Sequence, residues 1–255
     1  MPATAPDFLP RRTADGSFTL RSEQIDEHYH SVVGAVNEST HVYIKSGLDA
    51  WINLQGKTHV DVLEIGSGTG LNLLLTWIRC CEGKCTVSYT ALEPYPVTRE
   101  QLEALDHCAE LAWPALQDPF LERMTLDQNG WWERSGGLDF RKFATTAQEY
   151  EESNAFDVIY FDAFGPNTQP EMWTLEVFQR MHNALRPGGV LVTYCAKGEV
   201  RRTMQAAGFA VERIQGPPGK REMLRATKSD GRPLSRKNVM QIQEGVTMTV
   251  QPSTT

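Results

Sequence analysis

The sequence predicts an α/β fold, an open and mostly parallel sheet with helices on both faces, and three observations carry that expectation. An apolar run, Val60-Asp61-Val62-Leu63-Glu64-Ile65, enters glycines at alternate positions, Gly66, Gly68 and Gly70, and then Leu71-Asn72-Leu73-Leu74-Leu75-Thr76-Trp77-Ile78, which reads as a helix start. Further short apolar runs at 86–92, 155–161 and 190–194 alternate with stretches of helical periodicity. Three acidic residues, Glu64, Glu93 and Asp162, stand at or near the carboxyl ends of these strands, the side on which open α/β sheets bind ligands.

The glycine unit is a strand, tight turn and helix. Its glycines reach backbone angles that other residues resist and let a flat ligand lie on the main chain. Dinucleotide sites use G-x-G-x-x-G, whereas the spacing here is Glu64-x-Gly66-x-Gly68-x-Gly70. An acidic residue ahead of the glycines repels phosphates but suits the sulfonium and amino groups of S-adenosylmethionine. The competing reading is a Gly-rich turn with no ligand. Glu93, at the tip of the second strand of this unit, is placed to accept hydrogen bonds from both ribose hydroxyls of an adenosine.

With 255 residues and an apolar fraction of 40%, the chain accommodates one α/β domain with an appendage. No apolar stretch approaches the length of a membrane span, and Met1 to Arg12 lacks a signal-peptide core, so a cytoplasmic protein is expected. Cys80, Cys81 and Cys85 cluster without a Cys-x-x-Cys pair, and the histidines of Ser22 to Tyr43 lack matched carboxylates; no metal is expected. Charge is uneven. The chain carries −7, yet residues 197–237 hold eleven Lys/Arg against four Asp/Glu, so the remainder sits at −14. A basic face on an acidic body suits a protein that grips a polyanion at one place, with Arg201, Arg202, Lys220 and Arg221 as candidate contacts; the alternative is a solvated surface that happens to be basic.

In chain order, residues 1–17 read as a flexible, Pro- and Ala-rich arm and 18–45 as a polar and aromatic cap segment. Val42 to Leu54 reads as an amphipathic helix, Thr86 to Leu92 as a strand and Val97 to Leu111 as a helix. Trp113 to Gly137 reads as an irregular insertion, Leu138 to Phe143 as a strand and Ala147 to Glu152 as a short helix. A buried strand then delivers Asp162, followed by a loop rich in proline and aromatics that includes Phe164 and Trp173. The helix Leu175 to Leu185, a strand at 190–194, the helix Glu199 to Ala207 and two last strands complete a domain spanning 18–227; residues 228–255 read as a disordered tail.

Glu64-Ile-Gly-Ser-Gly-Thr-Gly-Leu-Asn72, Glu93-Pro-Tyr-Pro-Val-Thr-Arg99, Asp162-Ala-Phe-Gly-Pro166, Pro170-Glu-Met-Trp173 and Lys220-Arg-Glu-Met-Leu224 together resemble the methyltransferase of the bacterial 5-methylaminomethyluridine pathway. That family comprises the methyltransferase half of bifunctional MnmC and the stand-alone MnmD type. The resemblance runs from about Phe18 to Ala226 and implies a class I, Rossmann-like sheet of seven strands, S-adenosylmethionine as cofactor and tRNA as partner. It implies methylation of the primary amine of 5-aminomethyluridine, 2-thiolated or not, at the wobble position. With no oxidase half following, a stand-alone enzyme is implied. Cofactor contacts then fall to Glu64, Gly66, Gly68, Gly70, Asn72, Glu93, Thr145 and Asp162. One departure is visible: relatives commonly carry an acidic residue after the third strand, where Phe143-Ala144-Thr145-Thr146 offers only hydroxyls and backbone.

Charge dictates the chemistry. A nitrogen that becomes cationic as sulfur loses its charge is stabilised by a fixed carboxylate, the part assigned to Asp162. Phe164 and Trp173 are candidates to stack on the uracil ring, or else are core. Three other readings compete: an aminopropyltransferase of the polyamine-synthase kind, which also holds an amine beside an Asp-bearing loop; an NAD-dependent oxidoreductase, which the glycine spacing disfavours; and a non-catalytic methyltransferase-like RNA-binding protein.

Overall fold

The computed structural model describes residues 8–22, 27–29, 31, 33–125 and 130–231. Its strands in chain order are β1 (Phe8–Arg12), β2 (Phe18–Ser22), β3 (Glu27–His28), β4 (His59–Ile65), β5 (Thr86–Leu92), β6 (Gly130–Ser135), β7 (Leu138–Phe143), β8 (Phe156–Phe161), β9 (Leu185–Thr193), β10 (Ala210–Gln215) and β11 (Glu222–Thr227). The α-helices are α1 (Ala35–Ser39), α2 (Ala50–Gln55), α3 (Leu71–Cys81), α4 (Arg99–Leu105), α5 (His107–Glu110), α6 (Gln117–Thr125), α7 (Leu175–Ala184) and α8 (Gly198–Ala206), with a π-helical segment Thr40–Asp49 between α1 and α2.

β4 is central because its sequence demands burial on both faces. Val62, Leu63 and Ile65 are all closed to water, and β8 is buried along its whole length, as interior strands of a parallel sheet must be. The main sheet runs β10-β11-β9-β8-β4-β5-β7-β6. The seven strands from β10 to β7 form the sheet the resemblance implies, with β11 antiparallel between β10 and β9. The eighth, β6, pairs antiparallel along the outer edge of β7. One face of the sheet packs against α3, α4, α6 and the helical stretch 40–55, where Trp77, Phe120 and Leu48 are buried. The other packs against α7 and α8 through Phe178, Met181 and Met204.

Several expectations need correcting. Residues 8–17 are not a loose arm: β1 pairs with β2 from Phe8 opposite Ser22 to Arg12 opposite Phe18. The turn between them is closed by Asp15, which accepts from the Thr13 hydroxyl at 2.6 Å and the Ser17 amide at 3.1 Å, turn chemistry that a reading of composition passes over. The supposed insertion holds α6 and β6, so its Trp-rich part covers a sheet edge. Val97 to Leu111 is broken at Asp106, where φ is +46°, and residues 147–152 form a turn on the Thr146 carbonyl. Order continues through Lys228, whose ammonium donates to the Leu185 carbonyl; the tail beyond 231 and the arm before 8 lie outside the described residues.

At the end of the sheet opposite Asp162, Arg186 Nη1 donates to Asp61 Oδ2 at 2.6 Å and Asp157 Oδ2 at 2.9 Å, joining β4, β8 and β9. Removing it leaves two carboxylates facing each other. Arg186→Ala is therefore expected to cost about 1.5–3 kcal/mol in urea unfolding, the range for hydrogen bonds to charged groups, with cofactor affinity unchanged because the site lies at the other end of the strands.

Candidate active site

Strand register brings the acidic residues together. Ile65 is level with Leu92 on β5 and with Phe161 on β8, so Glu64, Glu93 and Asp162 surround the first turn after β4. The loop is sewn to its neighbours: Gly66 N–H donates to Leu92 O, Asp162 N–H to Ile65 O and Gly70 N–H to Ser67 O. Gly66 has φ +79°, and a Cβ there would stand 2.8 Å from the Asp162 carbonyl; no other residue fits so close a crossing.

Asp162 is held at both oxygens. The Tyr43 hydroxyl donates to Oδ1 at 2.6 Å and the Asn72 amide to Oδ2 at 2.8 Å. The same Asn72 nitrogen donates to Glu64 Oε1 at 2.9 Å, so one amide bridges two carboxylates. Glu64 Oε2 and Asn72 Oδ1 are buried acceptors without a donor. Burial pushes the Asp162 carboxyl up to about 7, against the opposing hydrogen bonds from Tyr43 and Asn72. Burial pushes Glu64 up further, to about 8.

Glu93 is buried and accepts from the Gly68 and Tyr95 amides, each at 2.9 Å. Burial raises its pKa, and these amides, with the Lys142 ammonium, hold it back. Thr145 and Thr146 both donate to Glu149 Oε2, at 3.3 and 3.2 Å, so a carboxylate does reach the turn after β7, from a position further along the chain than the resemblance implies. Phe164 is partly exposed, its ring 5.2 Å from that of Tyr29. Tyr29 also lies against Gly68, where a Cβ would meet its ring at 2.6 Å.

Other candidates are engaged differently. Trp173 is core: it is 6% exposed, packs edge-on to Phe161 and Phe178, and donates its indole N–H to the Phe164 carbonyl at 2.8 Å. It props the Phe164 loop and presents no face for stacking. Lys220 is committed to Glu38 at 2.5 Å and lies over the Tyr194 ring. Arg202 and Arg221 are exposed, and Arg201 is half-buried on α8. Tyr43, Glu38 and Tyr29 escape sequence reasoning, since a polar and aromatic segment without periodicity carries no mark of which side chains turn inward. Among the described residues no group of three His, Cys, Asp or Glu is placed to hold a metal, and no helix is long and apolar enough to cross a membrane.

Residues 138–229 match the profile of a family described as S-adenosyl-L-methionine-dependent methyltransferase. The chain is 32% identical over 218 residues to the tRNA 5-methylaminomethyl-2-thiouridine biosynthesis bifunctional protein MnmC of Nitrosospira multiformis, covering 80% of this chain and 34% of that one. It is 34% identical over 220 residues to the protein of that name from Cupriavidus necator, covering 79% of this chain and 32% of that one. It thus spans about a third of the length of the curated relatives it matches. Among solved structures, MNMC2 from Aquifex aeolicus superposes with a TM-score of 0.69 at 23% identity, over 95% of this chain and 77% of that one. Spermidine synthase from Thermotoga maritima shares the fold at a TM-score of 0.51 and 14% identity, over 96% of this chain and 84% of that one. The matched profile and the Rossmann-like sheet are those of the class I S-adenosyl-L-methionine-dependent methyltransferases. Within that class, the chain matches the MnmC-type tRNA-modification methyltransferase domain.

The raised carboxyls set a pH signature for stability. A carboxyl whose folded pKa lies above its unfolded value binds its proton more tightly in the native state, so stability falls as pH rises between the two, here from about 4.5 to about 8 for Glu64. Glu64→Gln removes that penalty. The variant is expected to melt at or above the wild-type temperature at pH 8 while losing affinity for S-adenosylmethionine, and a variant less stable than wild type at pH 8 but not at pH 5 would contradict the assignment.

Proposed function

We propose that the chain transfers a methyl group from S-adenosylmethionine to the primary amine of 5-aminomethyluridine, 2-thiolated or not, at the wobble position of tRNA, giving 5-methylaminomethyluridine. The observation that carries this reading is Asp162, clamped at both oxygens at the strand end beside the glycine turn. A carboxylate fixed there is a group for an amine.

The residues present fit the cofactor. The buried acceptors on Glu64 and Asn72 match an ammonium's donors, and Glu93 keeps lone pairs for ribose hydroxyls beyond its two amide bonds. Thr145 would border the adenine. Bound S-adenosylmethionine supplies an electrophilic methyl carbon on a sulfonium. Asp162 orients the amine and stabilises positive charge on its nitrogen. An ordinary carboxyl is too acidic to take a proton from an ammonium, but one pushed up to about 7 is closer to the task of a general base at neutral pH. Phe164, propped by Trp173 and flanked by Tyr29, is the aromatic face left for the uracil.

Nucleoside analysis of tRNA bearing 5-aminomethyluridine, incubated with enzyme and cofactor, should show 5-methylaminomethyluridine. Its absence with cofactor bound would overturn the reading, and turnover of decarboxylated S-adenosylmethionine with a diamine would favour aminopropyl transfer instead. Asp162→Asn is expected to lower turnover by about 10²–10⁴-fold, much more than it weakens cofactor binding.

The anionic partner would bind through the exposed arginines. With Lys220 held by Glu38, Arg202 and Arg221 carry the expectation. Replacing both with alanine should weaken tRNA binding and flatten its dependence on log salt by about 0.7–0.9 for each phosphate the variant no longer neutralises, leaving cofactor affinity and melting temperature in place.

A further inference from the structure

We propose that Tyr43 is the positioning residue of the methyl-transfer site: its phenol fixes Asp162 from outside the sheet and keeps the carboxylate's free lone pairs turned to the crevice. This rests on the reading of Asp162 as the amine-binding group.

A carboxylate has about four lone-pair sites. Tyr43 takes one on Oδ1 and Asn72 one on Oδ2, which fixes the rotation of the group and leaves one site on each oxygen for a substrate. Asn72 reaches Asp162 from α3 and Tyr43 from the helical stretch 40–55, two elements on the same face of the sheet, each holding a different carboxylate oxygen. Tyr43 is 1% exposed. Its hydroxyl bonds Asp162 or leaves a buried donor unpaired, which costs stability and favours the pairing.

The ring is seated against the strand it serves. Tyr43 packs on Tyr160, with centroids 5.3 Å apart and planes at 50°, and Tyr160 lies two residues before Asp162 on β8. The Tyr160 hydroxyl is 3.3 Å from Thr76 Oγ1 on α3, tying the same aromatic to the helix that carries Asn72. Close approach is made possible by Gly47, where a Cβ would stand 2.9 Å from Val192 Cγ2 and 3.4 Å from Tyr160 Cε1. Tyr43 and Gly47 both belong to the π-helical segment Thr40–Asp49, a rare i→i+5 geometry that recurs at functional sites.

Charged and titratable groups face Asp162 from every flank. Glu38 from α1 and Lys220 from the β10–β11 loop act with opposite signs and are paired to each other, Glu64 on β4 is bridged to Asp162 through Asn72, and Tyr194 stands at the end of β9. Burial holds the phenol well above its ordinary range, so Tyr43 remains a donor at every working pH. Its hydrogen bond favours the charged carboxylate, and its removal must make Asp162 a weaker acid.

Two measurements on the intact chain test this. With aspartate labelled at the side-chain carboxyl carbon, the Asp162 titration read by NMR without substrate should move up by about one unit in Tyr43→Phe. In single-turnover methylation, the acidic limb of the rate profile should move up with it and the rate at pH 7 fall by about fivefold, with S-adenosylmethionine Kd within about twofold. A variant with a lower melting temperature, an unmoved titration and a rate loss equal at all pH values would overturn the proposal and leave Tyr43 a packing residue. Should Tyr43→Phe fail to fold, 3-fluorotyrosine at position 43 keeps the shape with a more acidic donor. The Asp162 titration should then move down, and an unmoved titration overturns the proposal. Wild-type enzyme that does not methylate aminomethyluridine sinks the functional reading, while the substrate-free titration still reports on Tyr43.

Discussion

The Asn72 amide between Glu64 and Asp162 is the contact on which the site depends. Two carboxyls placed at adjacent strand tips by register repel each other and lose their hydration, and either effect alone pushes a proton onto one of them. One amide nitrogen with two hydrogens satisfies an oxygen of each. The bridge works only because α3 starts immediately after the last glycine, so that Asn72 stands in its first turn directly above β4. Gly66, Gly68 and Gly70 thus let Asp162, Tyr29 and Met124 pack where a Cβ would stand, and fold the chain back tightly enough for Asn72 to reach the strand it has just left.

The cap joins this arrangement through contacts far apart in sequence. Glu38 takes the Lys220 ammonium, His41 Nε2 lies 2.9 Å from the Gln215 carbonyl, and Gly219 fits against Val33. All three join the segment after β3 to the β10–β11 hairpin. Tyr43 follows on the same helical stretch. Docking of the cap is therefore not separable from the orientation of Asp162, and Lys220, which reads in the sequence as a surface cation for a polyanion, is part of that docking. Arg213 likewise pairs with Glu222, which leaves Arg221 outward.

What the sequence makes legible is local. The glycine turn, the strand tips at Glu93 and Asp162, and α8 can be read because an apolar run followed by Gly, Glu or Asp is a signal contained within about ten residues. The fold is legible for the same reason, since alternating strand and helix units admit few arrangements. What escapes is set by distant pairing. Tyr43 meets Asp162 across 119 positions, and nothing around it distinguishes it from Tyr29 or His41. β1 and β6 escape because their composition, proline in one and tryptophan in the other, says less than the partner edge that each covers. Trp173 stands open between stacking and core because an aromatic in a proline-rich loop suits either, and only the Phe164 carbonyl decides the matter.

The site and the surface ask for opposite charge. On the proposed reading the crevice receives a cationic cofactor and an amine, both favoured by buried carboxyls, but both belong to a reaction on a polyanion that the same carboxyls repel. Segregation resolves this. Glu64 and Glu93 are closed to water beneath the glycine turn, and their field is countered by Asn72 and by main-chain amides before it reaches the surface. The exposed Arg202 on α8 and Arg221 in the β10–β11 loop lie on elements other than those that carry Glu64 and Glu93. On that reading a single extruded base would carry its amine past Phe164 to Asp162 while the phosphates stay on the arginines. The acidic crevice then contributes selectivity as well as chemistry, because a base bearing a neutral or anionic substituent gains nothing from Asp162 and meets its repulsion or its desolvation instead.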